Sequence, residues 1–509
     1  MIGRTRSIAL AGLDGYVIDV EAHMAASLPA FTIVGLPDAS LTEARDRVRA
    51  AVTSSGLSWP NRRVTVNLSP ASLPKTGSVT DLAIAGAVLA AAGLIDRGAA
   101  GGAVLLGELG LDGRVRPVRG VLPAVAAAVR SGAPDVVVPA GNVDEARLVP
   151  GAAVVGVATL AELALRYGNE KARASSTEVV LPVIHPRAEA ACMDLADVRG
   201  QEEPRWALEV AAAGGHHMLM VGPPGAGKTM LAARLPGILP DLAPEDAVLA
   251  TSVHSIAGTL DPAAGLLTRP PFEAPHHSAS AAAIVGGGSH LARPGAISRA
   301  HAGVLFLDEA PEFPASVLQT LRQPLESGEI VLHRAAGAAR YPARFQLVMA
   351  ANPCPCGGFA GTGEGCSCTP MARRRYFGRL SGPLLDRVDL HVDVRPVRRG
   401  MDDAGESSRA VAVRVAGARE AARERFVGLE WRSNAGASPP WLRANTPRPV
   451  LAVGLRSLDR GTLSARGLDR ALRVSWTLAD LAGASSPGPE HFHQAMMLRT
   501  RASGPGVAA

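Results

Sequence analysis

The sequence predicts an α/β protein centred on a parallel sheet, preceded by a unit of alternating β-like and helical runs and followed by helices. Three observations carry this prediction. Gly222-Pro-Pro-Gly-Ala-Gly-Lys-Thr229 fits the phosphate-loop pattern G-x-x-x-x-G-K-[ST], directly after an apolar β-like run, His217-Met-Leu-Met-Val221. Two further apolar runs, Val304-Leu-Phe-Leu307 and Phe345-Gln-Leu-Val-Met-Ala350, follow with helical segments between them, as parallel strands require. From about residue 400 onward the pattern is mostly helical, broken by Pro439, Pro440, Pro447 and Pro449.

In chain order, residues 1–168 form the first unit. Phe31-Thr-Ile-Val34 and Val64-Thr-Val-Asn-Leu68 read as strands, and residues 41–52 and 82–92 read as helices. Residues 169–194 lose this periodicity, and the polar stretch Gly168-Asn-Glu-Lys-Ala-Arg-Ala-Ser-Ser-Thr177 reads as a linker. Residues 195–398 carry the phosphate loop and its sheet, and residues 399–509 a helical unit. No internal repeat stands out.

The 509 residues fit about three domains. Hydrophobic content of 47% supplies packed cores, and 4% aromatics make the packing aliphatic. The 52 basic and 46 acidic residues leave +6, a balance that tolerates a polyanionic partner. No secretory core follows Met1-Ile-Gly-Arg-Thr-Arg6, and the longest charge-free apolar stretch, residues 82–95, is too short to span a bilayer and reads as a buried helix. A cytoplasmic location without membrane contact is therefore expected. Five cysteines in such a chain do not suggest a disulfide framework.

The chain has three lysines, Lys75, Lys171 and Lys228, and one of them ends the phosphate loop. Backbone N–H groups of Gly222, Pro223, Pro224, Gly225, Ala226 and Gly227 (prolines excepted) and the following helix N-terminus can cradle phosphate oxygens. Lys228 is expected to reach the β- and γ-phosphates of ATP and Thr229 to ligate Mg²⁺. Asp308 and Glu309 emerge from the apolar run at Val304-Leu-Phe-Leu307, at the strand end where ligands of open α/β sheets bind. Asp308 is expected to hold Mg²⁺ and Glu309 to polarise the attacking water. Asn352, at the tip of the third strand, can contact the γ-phosphate; Asn at a strand end is also an ordinary turn former.

Arg387, in Ser381-Gly-Pro-Leu-Leu-Asp-Arg387-Val-Asp-Leu390, has two readings: a guanidinium offered to a neighbouring subunit's γ-phosphate, or an ion pair with Asp386 or Asp389. Ser464-Ala-Arg466 opens a helix and can place a second arginine over the nucleotide, with Arg470 and Arg473 as rivals at helical spacing.

Cys354, Cys356, Cys366 and Cys368 form a C-x-C…C-x-C arrangement, with Gly357, Gly358, Gly361, Gly363 and Gly365 letting the loop fold back. Four thiolates around a structural Zn²⁺ and four reduced loop cysteines are the alternatives. Cys192 stands apart. His276, His277 and His290 read as shaping a loop. Between Glu329 and Phe345, His333, Arg334, Arg340 and Arg344 surround Gly337 and read as a hairpin with a basic tip, which in a ring can track phosphates. Arg373-Arg-Arg-Tyr-Phe-Gly-Arg379 can contact DNA or brace a subunit interface.

Together, the glycine loop, Val304-Leu-Phe-Leu-Asp-Glu309, Ala351-Asn-Pro-Cys-Pro-Cys-Gly357 and Ser381-Gly-Pro-Leu-Leu-Asp-Arg387 resemble the ComM/YifB family of magnesium-chelatase-like AAA+ ATPases. The resemblance extends through Pro275-His-His-Ser278, Gly286-Gly-Gly288 and Arg293-Pro-Gly-Ala-Ile-Ser298. In the N-terminal half it covers Phe31-Thr-Ile-Val-Gly-Leu-Pro-Asp38, Val66-Asn-Leu-Ser-Pro70 and Gly107-Glu-Leu-Gly-Leu-Asp-Gly113, so nearly the whole chain takes part. It implies an N-terminal Lon-protease/S5-like α+β domain, a central AAA+ P-loop sheet and a C-terminal helical lid. It also implies a hexameric ATPase acting on single-stranded or branched DNA, a branch-migration helicase in recombination and natural transformation. By the same resemblance Asn352 is sensor 1, Arg387 the arginine finger, Arg466 sensor 2, and Gln201, in Asp197-Val-Arg-Gly-Gln201, lies near the adenine.

Two other functions compete. A metal-chelatase-type motor remodelling a protein partner shares the same ATP site. A Lon-like protease needs a Ser-Lys dyad, but Val79 falls where the nucleophile should stand in Pro74-Lys-Thr-Gly-Ser-Val-Thr-Asp81, and Leu122 where the lysine should stand in Arg119-Gly-Val-Leu-Pro123. Ser78 has no lysine between Lys75 and Lys171 to activate it. The N-terminal domain is therefore expected to serve assembly or DNA engagement.

Overall fold

The computed structural model describes residues 1–34, 39–70, 78–133, 135–173, 178–183, 193–288, 293–334, 337–359, 365–380, 382–396 and 405–500. Cys192, His290 and Lys75 lie outside the described residues.

The chain begins with a long antiparallel pair, Ile2–Ala11 against Asp14–Ala25, in register from Ile2 opposite His23 to Ala11 opposite Asp14. Neither strand shows an apolar run, because exposed Arg4 and Asp19 alternate with buried Thr5, Ser7, Ile18 and Val20. These strands centre a seven-stranded mixed sheet in the order Ala30–Val34, Arg63–Ser69, Asp14–Ala25, Ile2–Ala11, Val104–Leu105, Val136–Pro139, Val154–Val157. The helix Asp81–Ala92 is buried from Asp81 to Ala91 and packs in one core with the helix Ala39–Ser54. A stretch apolar on every side belongs in such an interior position.

A second sheet is parallel throughout: Phe272–Glu273, Val304–Leu307, Gln346–Ala351, Met218–Val221, Leu390–Asp393. Its faces divide by residue parity. Met218, Met220, Val304, Phe306, Val348 and Ala350 share a core with the helices Glu202–Gly214, Ser408–Arg425 and Ala465–Leu481. Leu219, Leu305, Leu307, Leu347 and Met349 share another with Ile297, Val317 and Ile330. Both faces being covered explains why the strands read as unbroken apolar runs.

The C-terminal prolines start helices instead of breaking them. Pro439 and Pro440 open Pro439–Asn445, while Pro447 and Pro449 flank the first residue of Arg448–Asp459. A proline costs no hydrogen bond in the first turn, where the N–H has no helical partner.

The expected hairpin forms, with Glu329–Arg334 antiparallel to Gly337–Pro342. Two of its arginines have acidic partners. Arg340 pairs with Glu329 at 3.3 Å, and Arg344, beyond the strand, pairs with Asp246 at 2.9 Å. Gly12, in the turn between the first two strands, forms a parallel bridge with Arg340, which ties the hairpin to the seven-stranded sheet. No helix among the described residues is long and apolar enough to cross a membrane.

Candidate active site

The phosphate loop joins the Met218–Val221 strand to the helix Lys228–Ala232. Gly225 and Gly227 adopt φ of 75° and 95°, which a side chain would resist. That backbone directs Lys228 inward, where its ammonium donates to the carbonyls of Gly222 (2.6 Å) and Pro223 (3.0 Å) and to Asn352 Oδ1 (3.1 Å). Burial lowers the Lys228 pKa, and the charges of Asp308 and Glu309 oppose that shift.

Register brings the other predicted residues to the same edge. Val221 pairs with Ala351 and Leu307 with Met349, so the strands end together and present the loop, Asp308 and Asn352 at their C-terminal ends. Thr229 Oγ1 donates to Asp308 Oδ2 at 2.7 Å. A hydroxyl and a carboxylate this close are both hard oxygen donors, the kind of ligand that would hold Mg²⁺. Asp308 Oδ1 accepts from the Glu309 N–H at 2.9 Å and stabilises the turn in which Glu309 sits at φ 50°. Gln201, Ala302 and Glu309 are the non-glycine residues with positive φ among the described residues, and two of them are predicted site residues. Such strain persists where surrounding contacts enforce it. Gln201 donates from Nε2 to Ala226 O (3.0 Å) and Arg395 O (2.5 Å), which ties the phosphate loop to the exit of the last strand.

His277, which the sequence marks only as shaping a loop, has a contact in the site. Its Nδ1 lies 3.3 Å from Glu309 Oε2, and its ring stacks on His276 at 4.1 Å, so the loop after Phe272–Glu273 touches the carboxylate expected to activate water. The two-residue strand that positions it is too short to register as a periodic run.

Arg387 lies at the opposite edge. It precedes the Leu390–Asp393 strand, whose Leu390 pairs with Met218 while Asp393 pairs with Val221, next to the loop. Its guanidinium bonds to Glu326 and to Pro383 O. Neither Asp386 nor Asp389 is its partner. Asp386 pairs with Arg466 (3.1 Å), and the buried Asp389 pairs with Arg470 (2.8 Å) and with His216 Nδ1 (2.9 Å). Burial alone would raise the Asp389 carboxyl, but Arg470 and His216 outweigh it and hold the group far below the ordinary range.

Arg466 comes to the same end of the sheet. Through Asp386 it lies beside Arg387, and its side chain is 75% exposed. Its rivals are committed to the fold, Arg470 to Asp389 and Arg473 to Ala437 O.

The four cysteines converge, with all four sulfurs within 4.8 Å of one another. Cys354 and Cys356 are 3.3 Å apart, Cys354 and Cys366 3.5 Å, Cys356 and Cys366 3.7 Å. A tetrahedral zinc with Zn–S bonds near 2.3 Å needs sulfurs about 3.8 Å apart, so the set fits one ion. The N–H groups of Phe359 and Cys368 donate to Cys354 (3.3 Å) and Cys366 (3.4 Å), as they would to thiolates. This cluster could hold a metal ion. The basic run nearby is partly committed: Arg373 stacks on Phe359 at 4.1 Å and Arg379 pairs with Glu312 at 3.0 Å, while Arg374 and Arg375 are exposed.

Comparison with known proteins matches this architecture along the chain. The subunit ChlI of Mg-chelatase family matches residues 20–142, the magnesium chelatase subunit ChlI family residues 194–401, and its C-terminal family residues 405–499. Protein Rv2897c of Mycobacterium tuberculosis is 55% identical over 504 residues, covering 98% of each chain. Competence protein ComM of Haemophilus influenzae is 39% identical across 97% of this chain and 96% of its own. Protein YifB of Escherichia coli is 40% identical across 96% of both. Near-complete coverage at such identity, together with a phosphate loop and acidic pair set on a parallel sheet, means that the chain belongs to the ComM/YifB family of magnesium-chelatase-like AAA+ ATPases.

Proposed function

We propose that the chain is an ATP-driven motor that assembles as a cytoplasmic hexamer and moves branched or single-stranded DNA, a branch-migration helicase of recombination. The carrying observation is the separation of two half-sites on one sheet: Lys228, Thr229, Asp308, Glu309 and Asn352 at one edge, Arg387 and Arg466 at the other. A ring brings the second edge of one subunit to the first edge of the next.

In this reading Lys228 binds the β- and γ-phosphates, and its exchange of Asn352 Oδ1 for a phosphate oxygen frees Asn352 to sense the γ-phosphate. Thr229 and Asp308 would hold Mg²⁺, which neutralises phosphate charge when bound. Glu309 takes a proton from the attacking water, with His277 positioning its carboxylate. The neighbour's Arg387 stabilises charge on the transferred phosphoryl, with Arg466 beside it, and Gln201 holds the loop near the adenine. The thiolate cluster holds a structural Zn²⁺. Support for DNA comes from the 39% identity to a competence protein, the +6 charge, and exposed Arg374 and Arg375.

The experiment is ATPase and strand-exchange assays with forked and single-stranded DNA. The proposal expects DNA-stimulated turnover and branch migration; turnover indifferent to DNA, with no migration, rejects it. The match to magnesium chelatase subunits favours a second reading, a motor for a protein partner, which would be stimulated by protein and not by DNA. Proteolysis is disfavoured, since Val79 and Leu122 stand where the serine and lysine of the dyad should, and Leu122 is buried in the core.

A further inference from the structure

The cysteine cluster lies against the nucleotide machinery. Cys354 follows Asn352 by two residues, and Asn352 Oδ1 is bonded to Lys228. Gly357, in the turn between the two cysteine pairs, lies directly on the phosphate loop: a Cβ there would stand 2.6 Å from Pro224 Cδ, and its φ is 73°. On the far side Tyr376 meets the Asn352 backbone and Arg373 covers Phe359, the residue whose N–H reaches Cys354. The turn is thus held between a helix, the tip of a core strand and Pro224.

We propose that this four-thiolate centre is a metal brace of the ATP site: a soft divalent cation, zinc by its donor set and spacing, pins the Cys354–Gly357 turn and thereby fixes Asn352 and the phosphate loop in the nucleotide-binding geometry. The inference rests on the ATPase reading above and adds to it a dependence of nucleotide affinity on a metal that never touches nucleotide. Without the ion, only weak thiol contacts of 3.5–3.7 Å join Cys354 and Cys356 to Cys366, and the contact with Pro224 loses its backing. Metal and nucleotide are then coupled ligands, each strengthening the other.

The test uses the full chain and two readouts, zinc content by mass spectrometry and affinity for a fluorescent ATP analogue with magnesium. The purified chain should carry about one zinc. Chelator-stripped protein should bind the analogue at least about tenfold more weakly and recover on zinc addition, with circular dichroism showing retained helices. Gly357→Ala should keep its zinc yet bind nucleotide about fivefold more weakly, because its Cβ displaces Pro224. Lys228→Ala should keep zinc and lose nucleotide, which separates the two sites. Stripped, folded protein that binds nucleotide as tightly as the loaded form overturns the brace and leaves the ATPase reading standing. A chain that takes up no zinc overturns it too. Loaded wild-type chain that binds no nucleotide refutes the ATPase reading and the brace with it.

Discussion

The two edges of the five-stranded sheet are made from the same strands yet carry opposite chemistry. At the C-terminal edge one cation, Lys228, faces Asp308 and Glu309 beside a glycine loop. At the N-terminal edge Arg387, Arg466 and Arg470 gather around Glu326, Asp386 and Asp389. Among the described residues, the first edge carries the glycine loop without Arg387, Arg466 or Arg470, and the second gathers those guanidinium groups without a glycine loop. The difference teaches that, in the ring proposed above, one molecule would carry both a binding surface and its complement, a heterologous contact between neighbours.

The largest expected effect tests that complement directly. Arg387→Ala and Lys228→Ala should each lower ATP turnover by about 10³-fold alone. Mixing the two proteins should restore part of the activity, because a site with Lys228 from one mutant and Arg387 from the other is intact. No recovery on mixing, with mixed rings demonstrated, would break the two-edge comparison.

Next, Glu309→Gln should keep nucleotide binding and lower turnover by about 10²–10³-fold. Wild-type-like turnover would remove Glu309 from the chemistry. His277→Ala should reduce turnover less than that, without changing nucleotide affinity, if its contact with Glu309 positions the carboxylate.

A smaller effect concerns how the arginine edge is held. Asp389→Asn leaves Arg470 and His216 without a buried anion and should cost about 3 kcal/mol, read by denaturant unfolding. An unchanged midpoint would mean that the Asp389 pairs with Arg470 and His216 contribute nothing to stability.

The smallest effect is on pH dependence. His301 is buried and its Nδ1 accepts from the Arg344 N–H at 3.2 Å; His217 Nδ1 accepts from the Leu347 N–H at 3.0 Å. Burial pushes both down from 6.5 to about 4. Folded, they stay neutral; unfolded, they protonate near 6.5, so unfolding takes up protons and their contribution falls as pH drops from 6.5 toward 4. Buried Asp81, raised to about 6 chiefly by desolvation, opposes this in part below pH 6. Thermal melts between pH 7 and about 4 should show the loss, and His301→Gln should flatten it.

The C-terminal edge was legible in the sequence because its chemistry is local. The phosphate loop, the acidic pair after Val304-Leu-Phe-Leu307 and the paired cysteines each occupy a few consecutive positions. The other edge was not, because its partners are remote: Arg470 meets Asp389 across 81 residues, and Arg466 meets Asp386 across 80. At helical spacing the sequence cannot tell which of Arg466, Arg470 and Arg473 is exposed; the bonds of Arg470 to Asp389 and of Arg473 to Ala437 O decide it. The first two strands were hidden by alternation, and His277 by a two-residue strand. The pairing of Arg340 with Glu329 and of Arg344 with Asp246 was likewise not legible.

The bridge between Gly12 and Arg340 has a mechanical consequence. A Cβ at Gly12 would fall 2.1 Å from the Arg340 carbonyl, so the two backbones touch with nothing between them. The hairpin therefore cannot swing as a free arm. In the motor proposed above, a stroke that tilts it would lever the turn joining the first two strands of the N-terminal sheet, and load on that sheet would feed back to the strand that follows the hairpin and ends at Ala351, next to Asn352.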